Sequence, residues 1–436
     1  MMSRMLIRGA HVVDPSQGID GILDIELDQG RIVRLGQGLT AEGVEVIDAQ
    51  GLYAMPGLID MHVHLREPGL EYKETIRTGT AAAAKGGFTA VCCMPNTLPV
   101  NDNAAVTTRI LDIARREGAV KVYPIGAITK GQQGREITEA AELKDAGCVA
   151  LSDDGRPVAD SRKMMLAMQY AAAFGLKLIS HCEDLALAEG GDMNEGAVST
   201  RLGLRGIPAA AEETMVAREL MLAGQLGLPV HIAHVSTARA LSMIRWAKDN
   251  GIQVTCESCP HYFAATEELV DGYSTYTKVN PPLRTEADRQ AVARAIADGT
   301  VDAIVTDHAP HHQDDKLVEY AQAANGISGI ETSLALSYTH LVKSGILSLS
   351  RMVEAMSCMP ARILGLEGGT LKPGAPADVT LADLKTEYTI RAEDFVSKGK
   401  NTPFDGWKVT GRTAMTLVDG RIAYRSEGRG PLTRDV

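Results

Sequence analysis

Eight short apolar runs recur along the middle of the chain, at 58–62, 88–94, 121–126, 148–152, 177–181, 229–234, 252–257 and 302–307. Helix-like stretches separate them, among them 74–85, 161–174, 209–226 and 238–250. A strand that is apolar on both faces must be covered on both sides. Alternation with helices therefore predicts parallel strands under a helical layer. Eight such units in about 250 residues fit a closed (β/α)8 TIM-like barrel better than an open doubly wound sheet. An open sheet would also be expected to carry a glycine-rich phosphate loop after a strand, and neither G-x-G-x-x-G nor G-x-x-x-x-G-K-[ST] occurs.

The two ends of the chain resemble each other more than the middle. Ile25-Glu26-Leu27-Asp28-Gln29-Gly30-Arg31-Ile32-Val33 alternates polar and apolar residues about a turn, and Thr416-Leu417-Val418-Asp419-Gly420-Arg421-Ile422-Ala423-Tyr424 does the same. Such patterns predict hairpins. Further strand-like pieces lie at 44–48 and 378–381. The expected organisation is a catalytic barrel over residues 56–366 and a small β-sandwich domain assembled from 1–55 and 367–436.

The formal charge is −11, from 44 basic and 55 acidic residues, and no basic block stands out. Nucleic acid and anionic membrane are therefore poor candidates for partners. The opening Met1-Met2-Ser3-Arg4-Met5-Leu6-Ile7-Arg8 is broken by charge too early for a signal-peptide core, and the apolar stretch 81–94 is cut by Lys85. These features predict a cytoplasmic protein without a membrane span. Seven cysteines are thinly spread, and Cys256-x-x-Cys259 has no partner pair. Buried thiols are expected rather than a zinc or redox site.

A barrel places functional side chains at the C-terminal ends of its strands. The first run closes in His62-Val63-His64, whose alternation points both imidazoles to one side. The fourth ends in Ser152-Asp153-Asp154-Gly155, the fifth in His181, the sixth in His234 and the eighth in Asp307 followed by His308. Four imidazoles and two carboxylates at one mouth suit two divalent ions of zinc type with a bridging carboxylate. His231, three residues before His234, is expected to face away and to be structural. Strand geometry alone does not choose between Asp153 and Asp154. His11, His312 and His340 look peripheral.

This order of strand-end ligands resembles the amidohydrolase superfamily, and the local sequences are similar to the long bacterial type of dihydroorotase. The segments that carry the resemblance begin with His62-Val63-His64-Leu65-Arg66-Glu67-Pro68-Gly69, Met94-Pro95-Asn96-Thr97, Ser152-Asp153-Asp154-Gly155 and His181-Cys182-Glu183-Asp184. They continue through His231-Ile232-Ala233-His234-Val235-Ser236-Thr237, Asn280-Pro281-Pro282-Leu283-Arg284 and Thr306-Asp307-His308-Ala309-Pro310-His311 to Lys398-Gly399-Lys400-Asn401-Thr402-Pro403-Phe404. The resemblance implies two zinc ions, one held by His62, His64 and Asp307, the other by His181 and His234, with Asp154 bridging. It implies Asp307 as general acid/base, Arg66, Asn96 and His311 as binders of the substrate carboxylate, and Asn280 beside the substrate ring. The loop holding Asn325 and Gly326 would close over substrate through main-chain groups.

Hydantoinase and dihydropyrimidinase relatives bridge their metals with a carboxylated lysine on the fourth strand, where this chain has Asp153-Asp154. Lys144, the nearest lysine, lies in a polar helix-like segment. Arg66 separates a carboxylate-bearing substrate from that of an allantoinase. A catalytically silent partner of aspartate transcarbamoylase would show gaps in the ligand set, and none is seen. The expected function is zinc-dependent, reversible cyclisation of N-carbamoyl-L-aspartate to L-dihydroorotate in pyrimidine biosynthesis. A homodimer is implied by the resemblance, and association with aspartate transcarbamoylase is compatible with it.

Overall fold

Each of the eight apolar runs folds as a strand. In the computed structural model, which describes residues 4–40, 43–426 and 433–435, they span Leu58–Val63, Phe88–Cys93, Lys121–Gly126, Ala150–Ser152, Lys177–Ser180, Val230–Ile232, Val254–Ser258 and Ala303–Ile304. All neighbouring pairs are parallel and follow chain order. The last and first strands meet through the parallel bridge Val63–His308, and His64 N–H donates to His308 O at 2.8 Å. The ring is thus brought nearly to closure at the point where the candidate ligands sit.

Helices alternate with these strands, including Ile76–Gly86, Ala104–Glu117, Ser161–Ala173, Ala210–Leu226 and Ala238–Asp249. Their starts are set by side-chain caps. Asn103 Oδ1 accepts from Ala105 N and Val106 N, Asp160 from Arg162 N and Lys163 N, and Thr237 from Ala240 N. Their inner faces, such as Val106, Ile110 and Ile113, pack on the sheet in one continuous apolar core. Burial of each such side chain contributes about 1.5–3 kcal/mol.

The ends of the chain meet in a nine-stranded, largely antiparallel sheet. Tyr53–Pro56 lies between Met5–Asp14 on one side and Val379–Thr389 on the other, so the N- and C-terminal segments share one hydrogen-bonded layer. Both foreseen hairpins form, Ile19–Asp28 with Arg31–Gly36 and Lys408–Val418 with Arg421–Arg425. Their two-residue turns have positive φ throughout, 48° and 76° at Gln29-Gly30 and 47° and 72° at Asp419-Gly420, which is the twist that tight hairpins prefer. A separate apolar cluster including Ile7, Ile25, Val379 and Met415 lies in this sheet. The start of the segment considered above for a signal peptide, Met1 to Ser3, lies outside the described residues.

No helix among the described residues is long and apolar enough to cross a membrane. All seven cysteines are buried free thiols, and Cys256 Sγ donates to Thr300 O at 3.3 Å.

Candidate active site

The strand ends deliver their polar residues to one point. Asp154 Oδ1 lies 3.3 Å from His62 Nε2, 3.4 Å from His181 Nδ1 and 3.4 Å from His234 Nε2, while its Oδ2 lies 3.5 Å from His64 Nε2. Asp307 Oδ1 is 3.0 Å from His64 Nε2 and 3.5 Å from His62 Nε2. Two metal-competent trios result, His62 with His64 and Asp154, and His181 with His234 and Asp154, so Asp154 is common to both. Its neighbour Asp153 turns away, accepting from Ile128 N at 2.8 Å and Thr129 N at 3.1 Å. The ambiguity of the Asp-Asp pair is settled by that turn.

Backbone strain accompanies this convergence. His234, Asp307 and Arg66 all have left-handed φ, at 33°, 46° and 63°. Such conformations cost of order 1–3 kcal/mol each and need an over-determined surrounding. Beside His234 that surrounding is Glu212, whose Oε1 accepts from Ser236 N, Thr237 N and Thr237 Oγ1, each at 3.0 Å. The left-handed turn also overrides the strand alternation used for His231. The strand ends at Ile232, and the chain then swings His234 inward. His231 therefore joins His62 on Glu257 within the barrel rather than facing away, and it remains outside both ligand trios.

The remote nitrogen of three imidazoles has its own acceptor. His62 Nδ1 donates to Glu257 Oε1 at 2.7 Å, His64 Nδ1 to Asn96 Oδ1 at 2.9 Å, and His181 Nε2 to Glu183 Oε2 at 3.1 Å. Each pairing leaves the opposite nitrogen with a lone pair toward Asp154. His62 Nε2 and Asp154 Oδ1 are buried without any hydrogen-bond partner. Unsatisfied buried polar atoms are costly, and a nitrogen–oxygen donor set of this kind fits a divalent ion of zinc type. The electrostatics agree. Burial opposes charge on Asp154 and Asp307, yet the surrounding histidines hold both carboxyl groups well below their usual range. Burial likewise opposes charge on His181, but Asp154 and Glu183 draw a proton onto it and lift it to about 10; a bound cation would compete with that proton for the same lone pair.

Over this centre opens a cavity of about 200 Å³. Every residue to which the resemblance gives a site role lines it except the fully buried His62: Arg66, Asn96, Asn280, His311, Asn325 and Gly326 join the remaining ligand candidates. Arg66 is 8% exposed, and burial draws its pKa down to about 10, which leaves it cationic at neutral pH. Its Nε donates to Pro310 O at 3.2 Å. His311 is held by Lys73 Nζ at 3.2 Å from Nδ1 and by Asn325 O at 2.8 Å from Nε2. Burial, with Arg66 and Lys73 nearby, pushes its pKa down to about 2, so its ring is neutral. Asn280 Nδ2 donates to Glu183 Oε2 at 3.0 Å.

The loop over the cavity uses main-chain groups. Asn325 is exposed and contributes its carbonyl, while Gly326, at φ +145°, sits so close that a Cβ would lie 2.7 Å from Ala309 O. Asn401 ties this loop to the eighth strand end. Its Nδ2 donates to Ala309 O and Gly326 O, and its Oδ1 accepts from His311 N. Asn401, Glu183 and Glu257 were not assigned roles from sequence. Asn401 and Glu183 stand in motifs that the resemblance had quoted, and Glu257 is an acid inside an apolar strand. His11, His312 and His340 lie elsewhere, paired with Asp20, capping a short helix, and packed on Trp407. Lys144 is exposed on Ala140–Ala146.

A family model described as "Dihydro-orotase-like" matches residues 51–240. A protein from Geobacter metallireducens named dihydroorotase is 55% identical over 422 residues, covering 97% of this chain and 99% of that protein. One of the same name from Acetivibrio thermocellus is 52% identical over 423 residues, covering 97% and 99%. Among solved structures, an L-hydantoinase (dihydropyrimidinase) from Arthrobacter aurescens superposes with a TM-score of 0.89 at 27% identity, covering 100% of this chain and 98% of that one.

Proposed function

The chain belongs to the dihydroorotase family, and on that premise we propose how its residues interconvert N-carbamoyl-L-aspartate and L-dihydroorotate in de novo pyrimidine biosynthesis. His62, His64 and Asp307 would hold one zinc ion, His181 and His234 a second, and Asp154 would bridge them. When bound, such ions lower the pKa of water from about 15.7 to about 7 and polarise an amide carbonyl. Arg66 holds the substrate carboxylate, because its planar fork can make two charge-assisted hydrogen bonds to it. Neutral His311 and the Asn96 amide complete that subsite, and Asn280 stands beside the ring. In hydrolysis Asp307 takes the proton of the attacking water and passes it to the ring nitrogen as the C–N bond breaks. Cyclisation runs the same transfers backward and releases water. The main chain at Asn325 and Gly326 covers the bound ring and limits water.

The observation that carries this reading is the pair of histidine trios sharing Asp154, with Arg66 on the wall of the same cavity. The absence of a strand-four lysine beside them argues against hydantoinase and allantoinase chemistry. The complete ligand set argues against a silent partner. The same reading divides the chain into a barrel, 56–366, and a small β domain from 1–55 and 367–436, supported by the two sheets and their separate apolar clusters. It includes a cytoplasmic homodimer, able to associate with aspartate transcarbamoylase while active. Zinc-loaded protein should hydrolyse dihydroorotate in preference to hydantoin, dihydrouracil and allantoin, and chelation should abolish turnover until zinc is restored. Preference for any of the other three substrates refutes the assignment.

A further inference from the structure

The seventh strand carries a carboxylate into the barrel that the mechanism above leaves idle. Glu257, in Val254–Ser258, is 0% exposed and uses both oxygens. Oε1 lies 2.7 Å from His62 Nδ1 and Oε2 lies 3.1 Å from His231 Nε2. His231 is itself 0% exposed, and its Nδ1 lies 2.8 Å from Thr255 Oγ1. An ionised carboxylate can only accept, so both facing nitrogens must carry protons. On a neutral His62 ring the proton on Nδ1 leaves a lone pair on Nε2, and that atom has no hydrogen-bond partner. It points between Asp154 Oδ1, at 3.3 Å, and Asp307 Oδ1, at 3.5 Å. Three electron-rich atoms converging in a dry site repel one another unless a cation sits among them. On the far side, a proton on His231 Nε2 leaves its Nδ1 to accept from the Thr255 hydroxyl.

We propose that Glu257 is a positioning residue of the metal centre: it holds His62 in the tautomer that binds a cation, and His231 with Thr255 holds Glu257. The inference rests on the metal reading above. Glu257 differs from the corresponding partners of the other rings. Asn96, behind His64, is a neutral amide on the cavity wall, and Glu183, behind His181, also serves Asn280. Of these three partners only Glu257 is a charge with no exposure at all, against 9% for Glu183, so its effect on imidazole basicity is the least screened.

Glu257→Gln keeps the shape and removes the charge. Wild-type and variant proteins, loaded with zinc, are dialysed against graded chelator, and zinc per chain is measured with circular dichroism and the urea midpoint recorded in parallel. The variant should lose one of its two zinc ions at roughly tenfold to a hundredfold lower chelator concentration, with its spectrum unchanged. In saturating zinc, the KM for dihydroorotate should match wild type. Equal zinc retention by a folded variant overturns the inference and leaves the metal reading standing. A wild-type protein that retains no zinc overturns the metal reading, and the inference with it. If the variant does not fold, heteronuclear NMR of histidine-labelled, zinc-loaded wild-type protein decides: a proton on His62 Nδ1 upholds the proposal and one on Nε2 refutes it.

Discussion

Replacing Arg66 by methionine tests the substrate assignment most directly, because the side chain is nearly isosteric in length and loses only the charged fork. In the structure Nε is committed to Pro310 O at 3.2 Å, and Nη2 passes 3.4 Å from His311 Nε2. Arg66 lines the cavity, and the proposed mechanism gives its remaining guanidinium hydrogens to the substrate. A hydrogen bond to a charged partner contributes about 1.5–3 kcal/mol, so two to a substrate carboxylate come to at least about 3 kcal/mol. That corresponds to a loss of roughly a hundredfold or more in kcat/KM, carried mainly by KM because the carboxylate is bound in ground and transition states alike. Pro310 O would lose its partner, at a cost to folding of about 1 kcal/mol. The assay is initial-rate hydrolysis of dihydroorotate at several concentrations, with zinc content measured on the same samples. Dihydrouracil, which lacks the carboxylate, serves as control, and its slow turnover should be indifferent to the substitution. An unchanged KM with a reduced kcat, or equal damage to both substrates, would refute the reasoning.

Asp307→Ala should reduce turnover by about a thousandfold or more, since a proton-transfer group contributes roughly 10²–10⁴ and a ligand is lost as well; a fully active variant would exclude the proton-transfer role. Gly326→Ala introduces a Cβ 2.7 Å from both Ala309 Cβ and Ala309 O at a φ of +145°. The strain, of order 1–3 kcal/mol, should displace the loop and raise KM about tenfold with zinc content unchanged, which steady-state kinetics would show. His311 should produce an acid-side stability loss. Its folded pKa, depressed to about 2, lies below its ordinary value of 6.5, so the unfolded chain binds the extra proton first. The stability tied to its neutral form is complete above pH 6.5 and declines by roughly 2 kcal/mol by pH 5. Urea midpoints of wild type and His311→Asn at pH 7.5 and pH 5 should diverge accordingly, and parallel curves would contradict the burial argument.

Much of the candidate site's placement was legible in the sequence because two local rules govern it. A buried parallel strand must be apolar throughout, so a polar residue at its C-terminal end is conspicuous, as with His62, His181, His234 and Asp307. Turn chemistry is equally local, and both hairpins formed at Gln29-Gly30 and Asp419-Gly420. The same locality misdirected the facing of His231, though not its exclusion from the ligand trios. Period-two alternation holds only while a strand lasts, and the strand ends at Ile232 before a residue with φ of 33°. Whether Asp153 or Asp154 faced the centre also escaped alternation, since the choice depended on the amides of Ile128 and Thr129, about 25 residues away.

The amino-acid order alone determined the succession of strands and helices, the placing of acids and imidazoles at strand ends, and the kinship from which their roles are proposed. Only the folded chain decided which remote partner sits behind each ring, Glu257 195 residues from His62 and Asn96 32 from His64, and which side chain holds the His311 amide, Asn401 90 residues away. The physical reason is that propensity and burial act on near neighbours, where pattern records them. A hydrogen bond across a barrel depends on ring closure, strand stagger and the direction of single side chains, which no short stretch of sequence encodes.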